Sequence, residues 1–165
     1  MTLRRVFSHL LAMPWQTRRR FPSHVLAAIE QAIAAVESRH AGEIRFAVET
    51  SLDGMAVWRG LSARTRALEV FGRLGVWDTA DNNGVLIYLL MCERDVEIIA
   101  DRGIAARVAP AEWEAVCRRM EAEFREGRFR EGAIVGVESV GALLAQHFPS
   151  AGGDRNEQPN RPVLL

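Results

Sequence analysis

Residues 81–103 read DNNGVLIYLLMCERDVEIIADRG, and this stretch decides the fold. Val85 to Met91 is an unbroken apolar run, which predicts a strand covered on both faces. Cys92-Glu93-Arg94 is short enough for a hairpin turn, and Asp95 to Ala100 makes the returning, antiparallel strand. Upstream, Pro22-Ser23 opens a helix whose stripe is Val25, Leu26, Ile29, Ile33 and Val36, ending at Ala41-Gly42. Glu43 to Thr50 follows as a strand, with Ile44, Phe46 and Val48 alternating against Arg45, Ala47 and Glu49, the pattern of a half-covered strand. A turn at Asp53-Gly54 leads to a helix capped by Ser62 and carrying Leu61, Leu68, Phe71 and Leu74. Downstream of Asp101-Arg102-Gly103, Pro110 starts a helix with Trp113, Val116, Met120 and Phe124 inward, closing at Gly127. A last helix spans roughly residues 131–147. The order α-β-α-β-β-α-α implies an α/β chain around a small mixed β-sheet.

Connection rules place the loops. Two strands joined through a helix run parallel, and two joined by a tight turn run antiparallel. The start of the first strand (Glu43), the start of the second (Asp81, Asn82, Asn83) and the end of the third (Asp101) therefore meet at one sheet edge. Carboxylates and amide oxygens without histidine or cysteine form a hard-oxygen donor set, suited to Ca²⁺ or Mg²⁺ rather than zinc or copper. The same residues also suit plain structural roles, Asp81 and Asn82 shaping a turn and Asp101 capping the next one.

Composition excludes several chemistries. The chain has 165 residues and no net charge, with 21 basic and 21 acidic residues, and every basic residue is arginine. Without lysine there is no side-chain Schiff base, no P-loop lysine and no kinase strand lysine. Residues 1–25 hold Arg4, Arg5, Arg18, Arg19 and Arg20 and no acid, so the remainder is mildly acidic and lacks the basic stripe that nucleic acid requires. Cys92 and Cys117 show no metal or disulfide spacing; Cys117 reads as a core residue and Cys92 as an exposed turn residue. His9, His24, His40 and His147 sit in the leader or at helix ends, and Gly-x-Ser-x-Gly is absent, so no nucleophilic triad is assembled from sequence.

Gly42-Glu43-Ile44, Asn83-Gly84-Val85-Leu86-Ile87, Asp101-Arg102-Gly103-Ile104, Trp113, Gly127 to Gly132 and His147-Phe148-Pro149 together resemble the TPM domain family across residues 22–149. The resemblance implies a three-layer α/β/α sandwich around a small mixed sheet, as in some members, a divalent cation, chiefly calcium, in a crevice between strand-edge loops, and, as in a plant member, acid phosphatase activity. Carried onto this chain, the expected cation ligands are Glu43, Asp81, Asn82 and Asp101, with Arg102 as a contact for phosphate. The Asp-Asn-Gly common in the family stands here as Asn82-Asn83-Gly84, with the aspartate one position earlier.

Residues 1–21 are a basic leader in which Leu3, Val6, Phe7, Leu10 and Leu11 share a helical face. His9, Pro14 and the arginines at 18–20 do not fit an export signal, and a cytoplasmic protein is expected. The leader has two readings: a helix packed on its own domain, or a helix docking on a membrane surface or a protein partner. Residues 150–165, rich in Pro, Gly and Asn, read as a disordered tail.

Overall fold

The computed structural model describes residues 3–150 and 156–165. Two short helices, α1 (Leu3–Leu11) and α2 (Pro14–Arg20), precede α3 (Ser23–Glu37), which feeds β1 (Glu43–Glu49). The turn at Asp53-Gly54 is the start of a one-turn helix, α4 (Gly54–Trp58), because the Asp53 carboxylate accepts hydrogen bonds from the amides of Met55 (3.0 Å) and Ala56 (2.9 Å). Ser62 caps α5 (Ala63–Arg73) as expected, accepting from the Thr65 amide. Then follow β2 (Gly84–Leu90), β3 (Asp95–Ala100), a four-residue helix α6 (Arg102–Ala105), α7 (Pro110–Arg125), α8 (Phe129–His147) and β4 (Val163–Leu164).

The sheet order is β3-β2-β1-β4. β1 pairs parallel with β2 in the register Glu43 to Gly84, and β2 pairs antiparallel with β3 in the register Val85 to Ala100. Side-chain alternation then splits the core into two layers. Ile44, Phe46, Val48, Val85, Ile87, Leu89, Val96 and Ile98 face α3, α7 and α8. Ala47, Leu86, Tyr88, Leu90 and Ile99 face α4 and α5 through Val57, Ala63, Ala67 and Val70. The α/β/α sandwich around a mixed sheet is therefore present.

Two expectations need correction. β1 is buried along its whole length rather than half-covered. Its polar residues find partners inside: Glu49 takes a two-point contact from Arg66 (2.9 Å at closest) and a hydrogen bond from the Tyr88 hydroxyl (2.6 Å), while the Arg45 guanidinium donates to the Pro159 carbonyl but leaves its Nε without a partner. The second partner explains the other correction. Residues 156–165 are not a free tail, since β4 adds to β1 as a parallel strand and Gln158 is buried. A charged outer strand with unmet backbone groups binds a segment of chain that supplies amides and carbonyls. Residues 151–155 lie outside the described residues.

Candidate functional site

The strand-edge crevice is assembled as the connection rules require. The amide of Asp101 donates to the Gly84 carbonyl (2.8 Å), the amide of Gly103 to the Asn82 carbonyl (3.2 Å), and the amide of Glu43 to the Asn83 carbonyl (3.0 Å). The loop before β2 is bound tightly to both neighbours. A Cβ on Gly103 would stand 2.6 Å from the Asn82 carbonyl oxygen, so only glycine lets the 101–103 turn lie against the 81–82 loop. Asn82 itself adopts φ +52°, a left-handed conformation that asparagine tolerates better than most residues.

Within that crevice the expected ligands differ in what they have left to give. Asp81 is exposed at the rim. Asp101 spends Oδ1 on the Arg102 amide (2.7 Å), but its Oδ2 is buried without a hydrogen-bond partner. Asn82 Oδ1 accepts from Arg102 Nε (3.0 Å), which brings a guanidinium into the crevice. Glu43 is buried, and its two oxygens accept from the amides of Glu157 and Gln158 (both 3.2 Å). A carboxylate whose two oxygens are already engaged by the amides of the docked tail has less to offer a cation. Glu43, bonded to the tail, and the carboxylates of Asp81 and Asp101 do not bring three oxygens within 4.8 Å of one another, so the loops stand side by side without forming a closed acidic cluster. Neighbouring Asn83 is also buried; its amide nitrogen donates to the Ala41 carbonyl and its Oδ1 has no partner.

A second cluster was not legible in the sequence. Among the described residues, one trio of His, Cys and acidic side chains brings its ligand atoms within 4.8 Å of one another: His9, Cys92 and Glu93, which could hold a metal ion. Their order along the chain gives no sign of it, because His9 lies on α1 and the others lie in the hairpin turn. Hydrogen bonds already occupy the imidazole. The Leu52 amide donates to Nδ1 (2.9 Å), which leaves the proton on Nε2, and Nε2 donates to Glu93 Oε1, an oxygen that also accepts from Arg5 Nε (2.8 Å). Cys92 Sγ lies 3.2 Å from Nδ1 and 3.8 Å from Nε2, so the sulfur sits over the ring rather than on either in-plane lone pair. Burial, with the Glu93 charge adding to it, pushes the Cys92 thiol up to about 12. Without a metal the trio serves as a docking contact for α1, and the spacing of its ligand atoms also suits a metal ion. Cys92 is half-buried, not the exposed turn residue expected.

A cleft of about 640 Å³ runs along β3 and the flank of α7 and is lined by Asp95, Glu97, Trp113, Cys117 and Glu121. Burial raises the Asp95 carboxyl to about 6, and the charges of Glu97, Glu121 and Glu93 add to the effect. Cys117 is likewise pushed up to about 12 by burial, consistent with a packing role.

The fold and the crevice define a class: a small α/β/α domain that gathers polar loops at one end of a mixed sheet. The chain belongs to the TPM domain family, whose model matches residues 21–143. It is similar to the solution structure of the BA42 protein from the psychrophilic bacterium Bizionia argentinensis, with 30% identity and a TM-score of 0.77 over 87% of this chain and 94% of that one. It also shares its fold with the N-terminal domain of the cg2496 protein from Corynebacterium glutamicum, at 18% identity and a TM-score of 0.56 over 79% of this chain and 77% of that one. None of the curated proteins matches this chain in sequence. Helices α1 and α2 precede the residues that the family model matches.

Proposed function

We propose that this chain is a divalent-cation-binding TPM domain that takes Ca²⁺ or Mg²⁺ in the strand-edge crevice, through Asp101, Asp81 and Asn82. The observation that carries this reading is the buried, unpartnered Oδ2 of Asp101, since a carboxylate oxygen removed from water without a donor is costly unless something positive meets it. Arg102 sets the terms of binding. A cation that uses Asn82 Oδ1 must displace the guanidinium from it, so affinity is modest and Arg102→Ala strengthens it. Thermal melts with and without millimolar calcium or magnesium test the reading, because a ligand bound only by the folded state raises the midpoint. A rise is expected for the native chain, a larger one for Arg102→Ala, and none for Asp81→Asn with Asp101→Asn. No rise with either cation overturns it.

The exposed Arg102 guanidinium beside that site favours a second reading, metal-assisted hydrolysis of phosphate esters. In this reading Arg102 would hold the ester's phosphate, and a cation held by Asp81 and Asp101 would supply Lewis-acid activation of water. Hydrolysis of a phosphate monoester that is unchanged in Asp81→Ala and Asp101→Ala would dismiss it.

A further inference from the structure

Helix α1 is attached to the domain by the wrong side for a core helix. At 100° per residue, Leu3, Phe7, Leu10 and Leu11 span one arc, and Arg5 and His9 lie opposite. The structure turns the second side inward. His9 is buried between the Leu52 amide and Glu93, Arg5 reaches Glu93, and Val6 packs at the edge of the α4–α5 layer. The apolar arc is left in solvent, with Leu3, Phe7, Leu10 and Leu11 each 59–70% exposed.

The patch continues beyond α1. Leu10 lies against the first residue of α4, its Cδ2 3.0 Å from where a Cβ on Gly54 would be, and α4 exposes Met55 and Trp58. Met13 and Trp15, at the start of α2, are exposed as well. Arg4, Arg18, Arg19 and Arg20 are exposed on the same two helices, and residues 1–25 contain no acid. Two carboxylates lie nearby: Asp53, engaged in capping α4, and Glu131, which lines a cleft with Trp15, Arg19 and Arg20 and is outnumbered there by arginines.

We propose that this face docks in the interfacial region of an anionic phospholipid bilayer. Leucine, phenylalanine and tryptophan enter the headgroup boundary while the arginines pair with lipid phosphates and keep their charge at the surface. The charge selects the occupant: a positive apolar face fits a negatively charged lipid surface better than a second copy of itself. Among the described residues no helix is long and apolar enough to cross a membrane, so the contact is peripheral. The anchor supplied by His9, Arg5 and Glu93 fixes which side of the domain meets the lipid, and it holds α1 folded before contact, so little ordering is left to the binding step.

The test is co-sedimentation of the full chain with phosphatidylcholine vesicles, alone or mixed with phosphatidylglycerol, together with tryptophan emission. Binding to mixed vesicles with a blue shift is expected, weaker binding to phosphatidylcholine alone, and about five-fold weaker binding for each arginine removed in Arg18→Gln and Arg19→Gln. Phe7→Asp with Leu11→Asp changes exposed positions only, so its circular dichroism and melting midpoint stay native while vesicle binding falls at least about ten-fold. No binding to mixed vesicles, or undiminished binding by that double variant, overturns the proposal. So does light scattering that shows a dimer in lipid-free buffer which Phe7→Asp dissociates, since the face would then be covered by a second copy.

Discussion

Glu37→Gln should make the protein more stable, and only at the alkaline end of its range. Glu37 is the last residue of α3, where the helix dipole disfavours an anion, and it accepts the Ile44 amide at 2.9 Å as the chain enters β1. Burial raises its carboxyl to about 7 and the neighbouring Glu43 charge adds to this, while the Ile44 amide and Asn160 oppose it. Below the ordinary value of 4.5 the carboxyl is protonated in both folded and unfolded chains and costs nothing. As pH rises from there to about 7 the unfolded chain ionises first, so stability falls; above about 7 the loss is complete and constant. At 1.36 kcal/mol per pH unit the full linkage is about 3 kcal/mol, and solvent screening of a partly open carboxyl leaves about 1–2 kcal/mol. Glutamine keeps the acceptor for Ile44 and cannot ionise. Urea unfolding of both proteins from about pH 4.5 to about pH 8 should give a difference that grows by about 1–2 kcal/mol in favour of the variant. Asp95, raised in the same direction, acts equally in both proteins and drops out of the comparison. A difference that is flat with pH, or one that favours the native chain at pH 8, refutes the reasoning.

Three further outcomes follow from the packing. Arg66→Ala strips the two-point partner from Glu49, whose side chain is only 11% exposed, and should cost about 2–4 kcal/mol in a urea melt. Gly141→Ala would set a Cβ 2.6 Å from Val36 Cβ, a stiff β-branched neighbour on α3, so a loss of about 1–3 kcal/mol and a lower melting midpoint are expected. Deleting residues 156–165 removes the donors to Glu43, the acceptor for Arg45 and the strand beside β1, and should lower stability by about 2–4 kcal/mol by the same assay.

The central hairpin was legible because Val85 to Met91 admits one reading, and connection rules then put Asp81, Asn82, Asp101 and Glu43 at one end of the sheet. What escaped was long-range and polar. Arg45 and Glu49 alternate with apolar residues just as solvent-facing residues do, and only the tail, Arg66 and Tyr88 show that they are inside. Val163-Leu164 is too short to carry a period, so its pairing with β1 left no trace in composition. The amphipathic period of α1 was plain, but period does not reveal which side faces the domain. That was settled by Glu93 and the Leu52 amide, residues remote in sequence that meet His9 only once the hairpin is folded.

The most direct test of the crevice is a calcium titration followed by ¹⁵N–¹H correlation spectra, which locates binding residue by residue. Saturable shifts concentrated at residues 81–84 and 101–104, and lost in Asp101→Asn, are the expected result. Shifts centred on His9, Cys92 and Glu93, or a spectrum that calcium leaves unchanged, would contradict it.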